Sequence, residues 1–247
     1  MCFLIDWPVN CPIMVHVLLL AADTSSPSGS LAILRDELVL GTIHTVSDEP
    51  YSSRLFRHID FLLSDLSLQL KDFDLVAVAS GPGSFTGLRV GLTAAKAWSE
   101  AFQLPVVGIS VLHAVVAQSR SEASVVVPVL DARRHQLYYG FFENSPLGKT
   151  LVSDERVGSP EEFVKDVRSR YAGRSISAVA SSREVVTPIV ESVLSEGGSL
   201  EIVSPVLAPW IGLLALDRAR SGKVSDSLSL DANYVRRSDA ELHWKGS

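Results

Sequence analysis

Two apolar runs in this chain end the same way, and that repetition narrows the fold more than any other feature. Val17 to Asp23 is a short continuous run of apolar residues closed by an aspartate and a Ser-Pro-Ser-Gly turn, and Val125 to Leu130 is closed by Asp131. Runs of this length with branched residues and flanking turn signals read as fully buried strands. After the first come Ser30 to Leu34 and Leu38 to Thr45, which complete a three-stranded meander. Tyr51 to Leu70 places Leu55, Phe56, Ile59, Leu62, Leu63 and Leu66 at helical steps. A strand at Leu75 to Ala79, a helix over Thr86 to Phe102 stopped before Pro105, and a strand at Val106 to Ile109 close the unit. After Asp131 the order begins again. His135 to Phe142 alternates as a strand, Pro160 to Tyr171 is helical, and helices follow around Glu184 to Ser195 and Pro209 to Arg220. Ala-Val-Ala-Ser at 77–80 recurs at 178–181.

Meanders followed by alternating helices and strands give a mixed sheet flanked by helices, made twice. The fold class is therefore α/β, a duplicated actin-like (ribonuclease-H-like) fold. The expected division is an extension over 1–14, a first lobe over 15–110, a second over 111–222, and a C-terminal tail over 223–247 packing on the first. Residues before Met14 have no clean period and read as an extension or a misassigned start.

Composition removes several classes. A formal charge of −6 leaves no basic field for gripping a nucleic-acid backbone unaided, so any contact with a nucleic acid would have to be shared. Cys2 and Cys11 are the two cysteines, without paired ligands at zinc spacing. The run Val15 to Ala22 is far below the roughly 20 apolar residues of a membrane span. It also lacks the basic n-region of a secretory signal, since no Lys or Arg precedes Arg35. A cytoplasmic protein without a membrane partner is expected.

The most informative segment is Ser80-Gly81-Pro82-Gly83-Ser84-Phe85-Thr86-Gly87-Leu88-Arg89-Val90-Gly91, between a buried strand and a helix. Ser84 or Thr86 can cap the helix, and such a turn can cradle an anion. It is neither a Walker A loop nor a dinucleotide fingerprint, because Thr86 stands where a third glycine belongs. A tight strand-to-helix turn is the competing account. A serine hydrolase of glycoprotease type is the weaker enzymatic reading, since no G-x-S-x-G elbow surrounds Ser84.

Ala79 to Gly91, with Leu-Ala-Ala-Asp-Thr-Ser-Ser at 20–26, Leu-Pro-Val-Val-Gly-Ile-Ser at 104–110 and Asn233 to Glu241, resembles the TsaB family. The resemblance is dense over 15–120 and thin over 140–225. It implies a non-catalytic scaffold subunit, without metal or cofactor of its own, that pairs with TsaD. TsaD is a homologue of the same fold that transfers threonylcarbamoyl to the adenosine beside the anticodon of ANN-decoding tRNAs. It further implies a TsaE-type ATPase in the complex, TsaC as source of the adenylate, tRNA contact through the complex alone, and a homodimer when the partner is missing. TsaD-like proteins hold their metal with two histidines after the Leu-Pro-x-Val-Gly strand, where this chain has Val111 and Val115. His113 between them is a lone histidine and reads as a surface or core side chain.

The same superfamily places phosphate loops at Asp23, Thr24 and Ser25, at Gly81, Gly83 and Ser84, and at Asp131. Here the second-lobe loop, Asp131-Ala132-Arg133, lacks the usual Gly and Ser/Thr, and Ser182-Arg183 replaces a glycine pair on the adenosine side. These positions read as vestigial, leaving room for weak ATP or ADP binding at most. A free-standing ATPase or phosphotransferase is the alternative, and for Asp23 a polar strand stop is the competing role. The helices of 51–70 and 86–102 correspond to the family's contact with TsaD. Its candidate anchors are Leu55, Phe56, Ile59, Leu62, Leu63, Leu88, Arg89, Leu92, Ala95 and Trp98.

Overall fold

The computed structural model describes residues 16–145, 148–185 and 197–235. The 1–14 extension, the body of the helix read around Glu184 to Ser195 and the end of the Asn233 to Glu241 stretch lie outside them.

The first sheet is built from β1 (Leu18–Asp23), β2 (Ser28–Arg35), β3 (Leu38–Val46), β4 (Leu75–Gly81) and β5 (Val106–Ser110), in the order β3-β2-β1-β4-β5. The first three strands form the antiparallel meander, whereas β1, β4 and β5 run parallel, with Ala21 opposite Ala77. Every residue of β1 and β4 is buried, as required of strands covered on both faces. Helices α1 (Tyr51–Asp65) and α2 (Phe85–Phe102) join the same hydrophobic core. α1 ends before its apolar stripe does, because Ser67 turns left-handed at φ 52° and the Leu68 N–H reaches back to the Leu63 carbonyl at 2.9 Å.

The second sheet repeats this plan. A short helix α3 (Val111–Val116) leads to β6 (Val125–Asp131), which pairs with β7 (Leu137–Tyr139) at one end and β8 (Phe142–Ser145) at the other. β9 (Gly148–Leu151) continues outward from β8, and β10 (Arg156–Gly158) from β7. Across β6, β11 (Ile176–Ala180) and β12 (Ser199–Ile202) add in parallel, and α4 (Pro160–Arg170) precedes β11. Taking β7/β8 as one broken strand and β9/β10 as another, the order matches that of the first sheet. The duplicated actin-like fold is thus present. The single strand read over His135 to Phe142 starts later and breaks. Arg133, Arg134 and His135 all have positive φ, and the backbone of Phe141 turns away to bond Ser153 Oγ and the Val152 N–H.

The last helix among the described residues, α5 (Ala208–Arg220), follows β12 in the chain, yet its apolar face joins the first core through Ala208, Ile211, Ala215 and Leu216. Chain order groups it with 111–222, but its packing is across the first sheet. Gly212 permits the approach: a β-carbon there would stand 2.7 Å from Leu34 and 2.9 Å from Leu19. No residue of its own caps α5. The buried Ser30 hydroxyl on β2 does so, accepting from Leu207 N at 3.2 Å and Ala208 N at 2.9 Å.

Candidate functional site

A cleft of about 390 Å³ opens between the two sheets. Of the predicted loop residues it gathers Ser25, Gly83, Ser84 and Asp131, and the adenosine-side Ser181 also lines it. Asp23, Thr24 and Gly81 are not on its wall, because each faces another part of the protein.

Asp23 is fully buried. Its Oδ1 accepts from the Ser25 N–H at 2.9 Å and the Ser25 hydroxyl at 2.6 Å, while Oδ2 has no hydrogen-bond partner among the described residues. Burial pushes its carboxyl above the ordinary range against these two hydrogen bonds. Thr24 Oγ1 donates to the Gly87 carbonyl at 2.8 Å, and the Ser84 N–H donates to the Ser25 carbonyl at 2.7 Å. The loop after β1 and the turn before α2 therefore bond to each other. The predicted Ser84 cap is present, its hydroxyl accepting from Gly87 N at 3.2 Å. A β-carbon on Gly83 would lie 2.6 Å from the Ser25 carbonyl, so loop packing alone demands a glycine there.

On the opposite wall Asp131 is exposed and engaged with its own turn. Its Oδ1 accepts from Arg133 N at 2.7 Å and its Oδ2 lies 3.4 Å from the Arg133 guanidinium. Two strand-end carboxylates are present, but one is sealed inside and the other paired. Asp23 Oδ1 and Asp131 Oδ1 are bonded within their own loops, whereas Asp23 Oδ2 has no partner among the described residues.

Val111 and Val115 lie on α3 inside the core. His113 on the same helix packs against Phe142 at 5.5 Å, and burial with the nearby Arg218 charge holds its imidazole below the ordinary range.

The two predicted contact helices divide by face. Leu55, Ile59, Leu62, Leu88, Leu92, Ala95 and Trp98 are buried against the first sheet. As partner anchors they are corrected, since side chains already filling this chain's core have no area left to cover. Leu63 is half-buried, whereas Phe56 and Arg89 face outward. Phe56 is 60% exposed and meets Trp98 edge-on at 6.3 Å. Phe61 is 62% exposed on α1, and Phe102 and Phe85 are partly exposed on α2. Phe61, Phe85 and Phe102 were missed by sequence reasoning. The available signal was an aromatic side chain lying off a helix's apolar stripe.

Also missed was Arg54, the largest fully buried side chain among the described residues. It stacks on Tyr51 at 4.0 Å and donates to Thr45 Oγ1 at 2.7 Å and the Pro27 carbonyl at 2.9 Å, tying α1 to the cleft turn.

Residues 39–195 match the family described as TsaD, tRNA N6-adenosine threonylcarbamoyltransferase. The tRNA threonylcarbamoyladenosine biosynthesis protein TsaB of Haemophilus influenzae is 33% identical over 243 residues, covering 94% of this chain and 98% of its own. This chain belongs to the TsaB family. The Bacillus subtilis TsaB protein is 27% identical over 229 residues, 92% of this chain and 97% of that one. Solved YeaZ from Pseudomonas aeruginosa superposes with a TM-score of 0.70 at 23% identity, covering 88% of this chain and 99% of that one, which shows a shared fold. Among TsaB-family features quoted from the sequence, the glycine turn, the Leu-Pro-Val-Val-Gly strand and Asn233 meet in three dimensions: Asn233 N donates to the Ser80 carbonyl at 2.7 Å, beside β5.

Proposed function

We propose that this chain is a non-catalytic subunit in the formation of threonylcarbamoyladenosine on tRNA, acting by contact with a TsaD-type catalytic homologue. The observation that carries the reading is hydrocarbon at Val111 and Val115, packed into the core where the resembling catalytic subunit places histidines. Valine has no lone pair for a metal. What remains for the chain to offer is surface, and the outward sides of α1 and α2 offer aromatic area at Phe56, Phe61 and Phe102. A TsaE-type ATPase joins the pair, tRNA is reached through the complex, and the chain self-associates through the same helices when alone. Its working compartment is the cytoplasm. No helix among the described residues is long and apolar enough to cross a membrane.

Reconstitution tests this reading. The chain mixed with its cognate TsaD-type subunit is expected to co-elute as a complex and to raise tRNA modification, while the chain alone yields none. Separate elution and an unchanged modification rate would remove it. A free-standing ATPase is the second reading, favoured by Asp131, Ser25 and Ser84 on one cleft. Calorimetry with Mg-ATP at millimolar concentration separates the two, because that reading requires tight binding.

A further inference from the structure

Gly81 opens the most diagnostic motif in the sequence, yet it does not line the cleft. Its φ is +122°, and a β-carbon there would stand 2.5 Å from the carbonyl oxygen of Asn233. The residue that requires a glycine at this point is in the C-terminal segment, 152 positions later. We propose that this segment, from Val224 to Val235, is a strap that mechanically couples the N-terminal end of α2 to the seam between the two lobes.

The strap is anchored at several points. Ser225 exchanges backbone hydrogen bonds with Val106 at 2.9 and 3.0 Å, adding to the free edge of β5. Leu230 is buried, with its Cδ1 3.0 Å from where a β-carbon of Gly108 would lie. Asn233 and Tyr234 then fasten in opposite directions. The Asn233 side chain donates to Glu155 Oε2 at 2.5 Å. The other Glu155 oxygen accepts from Ser110 Oγ, and that hydroxyl also caps α3. Glu155 belongs to the second lobe and Ser110 ends the first sheet, so one half-buried carboxylate holds seam and strap together.

Tyr234 turns the other way. Its hydroxyl accepts from Arg89 Nε at 3.2 Å and its ring lies against Phe85 at 5.1 Å, with the Arg89 guanidinium 3.8 Å above the Phe85 ring. Arg89 is thereby assigned: it clasps the strap. The adjacent positions 233 and 234 leave no slack between the two fastenings, since one residue of extended chain spans about 3.5 Å. Displacing Tyr234 from α2 must pull on Asn233, on the Ser80–Gly81 backbone and on Glu155.

Hydrogen exchange on the full chain, without any partner, tests this and is therefore independent of the proposed function. Tyr234→Ala removes a side chain that is 41% exposed and leaves the core intact. It is expected to accelerate exchange about tenfold at 85–91, and by a similar factor at 111–116 and 153–158, which the strap meets through Asn233 and Val235. Glu155→Gln is expected to do the reverse, loosening 85–91 from the far end. Ser227→Ala, which removes only the outer contact to Glu100, serves as the control that changes neither. Faster exchange confined to the region of each substitution, or no change in either, overturns the coupling.

Discussion

The carbonyl oxygen of Thr24 stands 2.1 Å from the point that a β-carbon on Gly87 would occupy. That oxygen is backbone, held by a buried loop, and cannot rotate aside. Gly87→Ala is expected to cost about 3 kcal/mol, the upper range for overpacking a closed site. Chemical denaturation checks it, and an unchanged midpoint would show that the β1 loop can retreat.

Asp23 carries a pH signature of unusual sign. Its folded-state carboxyl lies above its ordinary value of 3.8, because burial outweighs two hydrogen bonds from Ser25. Over the window from 3.8 upward to that raised value, the folded chain retains a proton that the unfolded chain releases. Stability contributed here is present at low pH and lost as pH rises. Asp23→Asn should therefore gain on the wild type as pH is raised from 4 to 8. Denaturation series at several pH values measure the difference, and a constant gap would mean that Asp23 is ionised throughout.

Arg54→Lys tests the tie between α1 and the cleft turn. One ammonium group cannot reach both Thr45 Oγ1 and the Pro27 carbonyl in the guanidinium's fork geometry, nor stack flat on Tyr51. A loss of about 3 kcal/mol is expected from a buried charge left with incomplete partners. Thermal unfolding would register it as a drop in Tm of several degrees.

Faces of α1 predict opposite phenotypes. Phe61→Asp should leave stability within ~0.5 kcal/mol, as for exposed positions, while weakening binding to a TsaD-type subunit at least tenfold. Leu55→Ala, six residues earlier on the same helix but buried, should instead cost about 3 kcal/mol of folding stability. Paired measurements of Tm and Kd distinguish them.

Most of the architecture was legible because it depends on local period. The apolar runs ending at Asp23 and Asp131, the stripe of α1 and the Ser84 cap can all be read from neighbours a few residues apart. Those same rules cannot tell which half of an amphipathic helix will find a second layer, so buried Leu55 and exposed Phe56 looked equally available. Distance along the chain hid the rest. Gly81 answers to Asn233, Ser30 caps α5, and Ser110 shares Glu155 with the strap. Of the loop residues named from the sequence, Ser25, Gly83, Ser84 and Asp131 line the cleft, but the inward turn of Thr24 and Asp23 follows from loop-to-loop contact that no spacing encodes.

The hydroxyl of Ser30 reaching the start of α5 has a temporal consequence. A ribosome has completed the five strands of the first sheet long before it makes residues 208–220, a delay of roughly ten seconds at ordinary elongation rates. Throughout that interval Leu19, Leu34 and their neighbours have no helix over one face. Translation of the final quarter thus supplies the missing layer, and the apolar face of the first sheet is closed only when the chain is nearly finished.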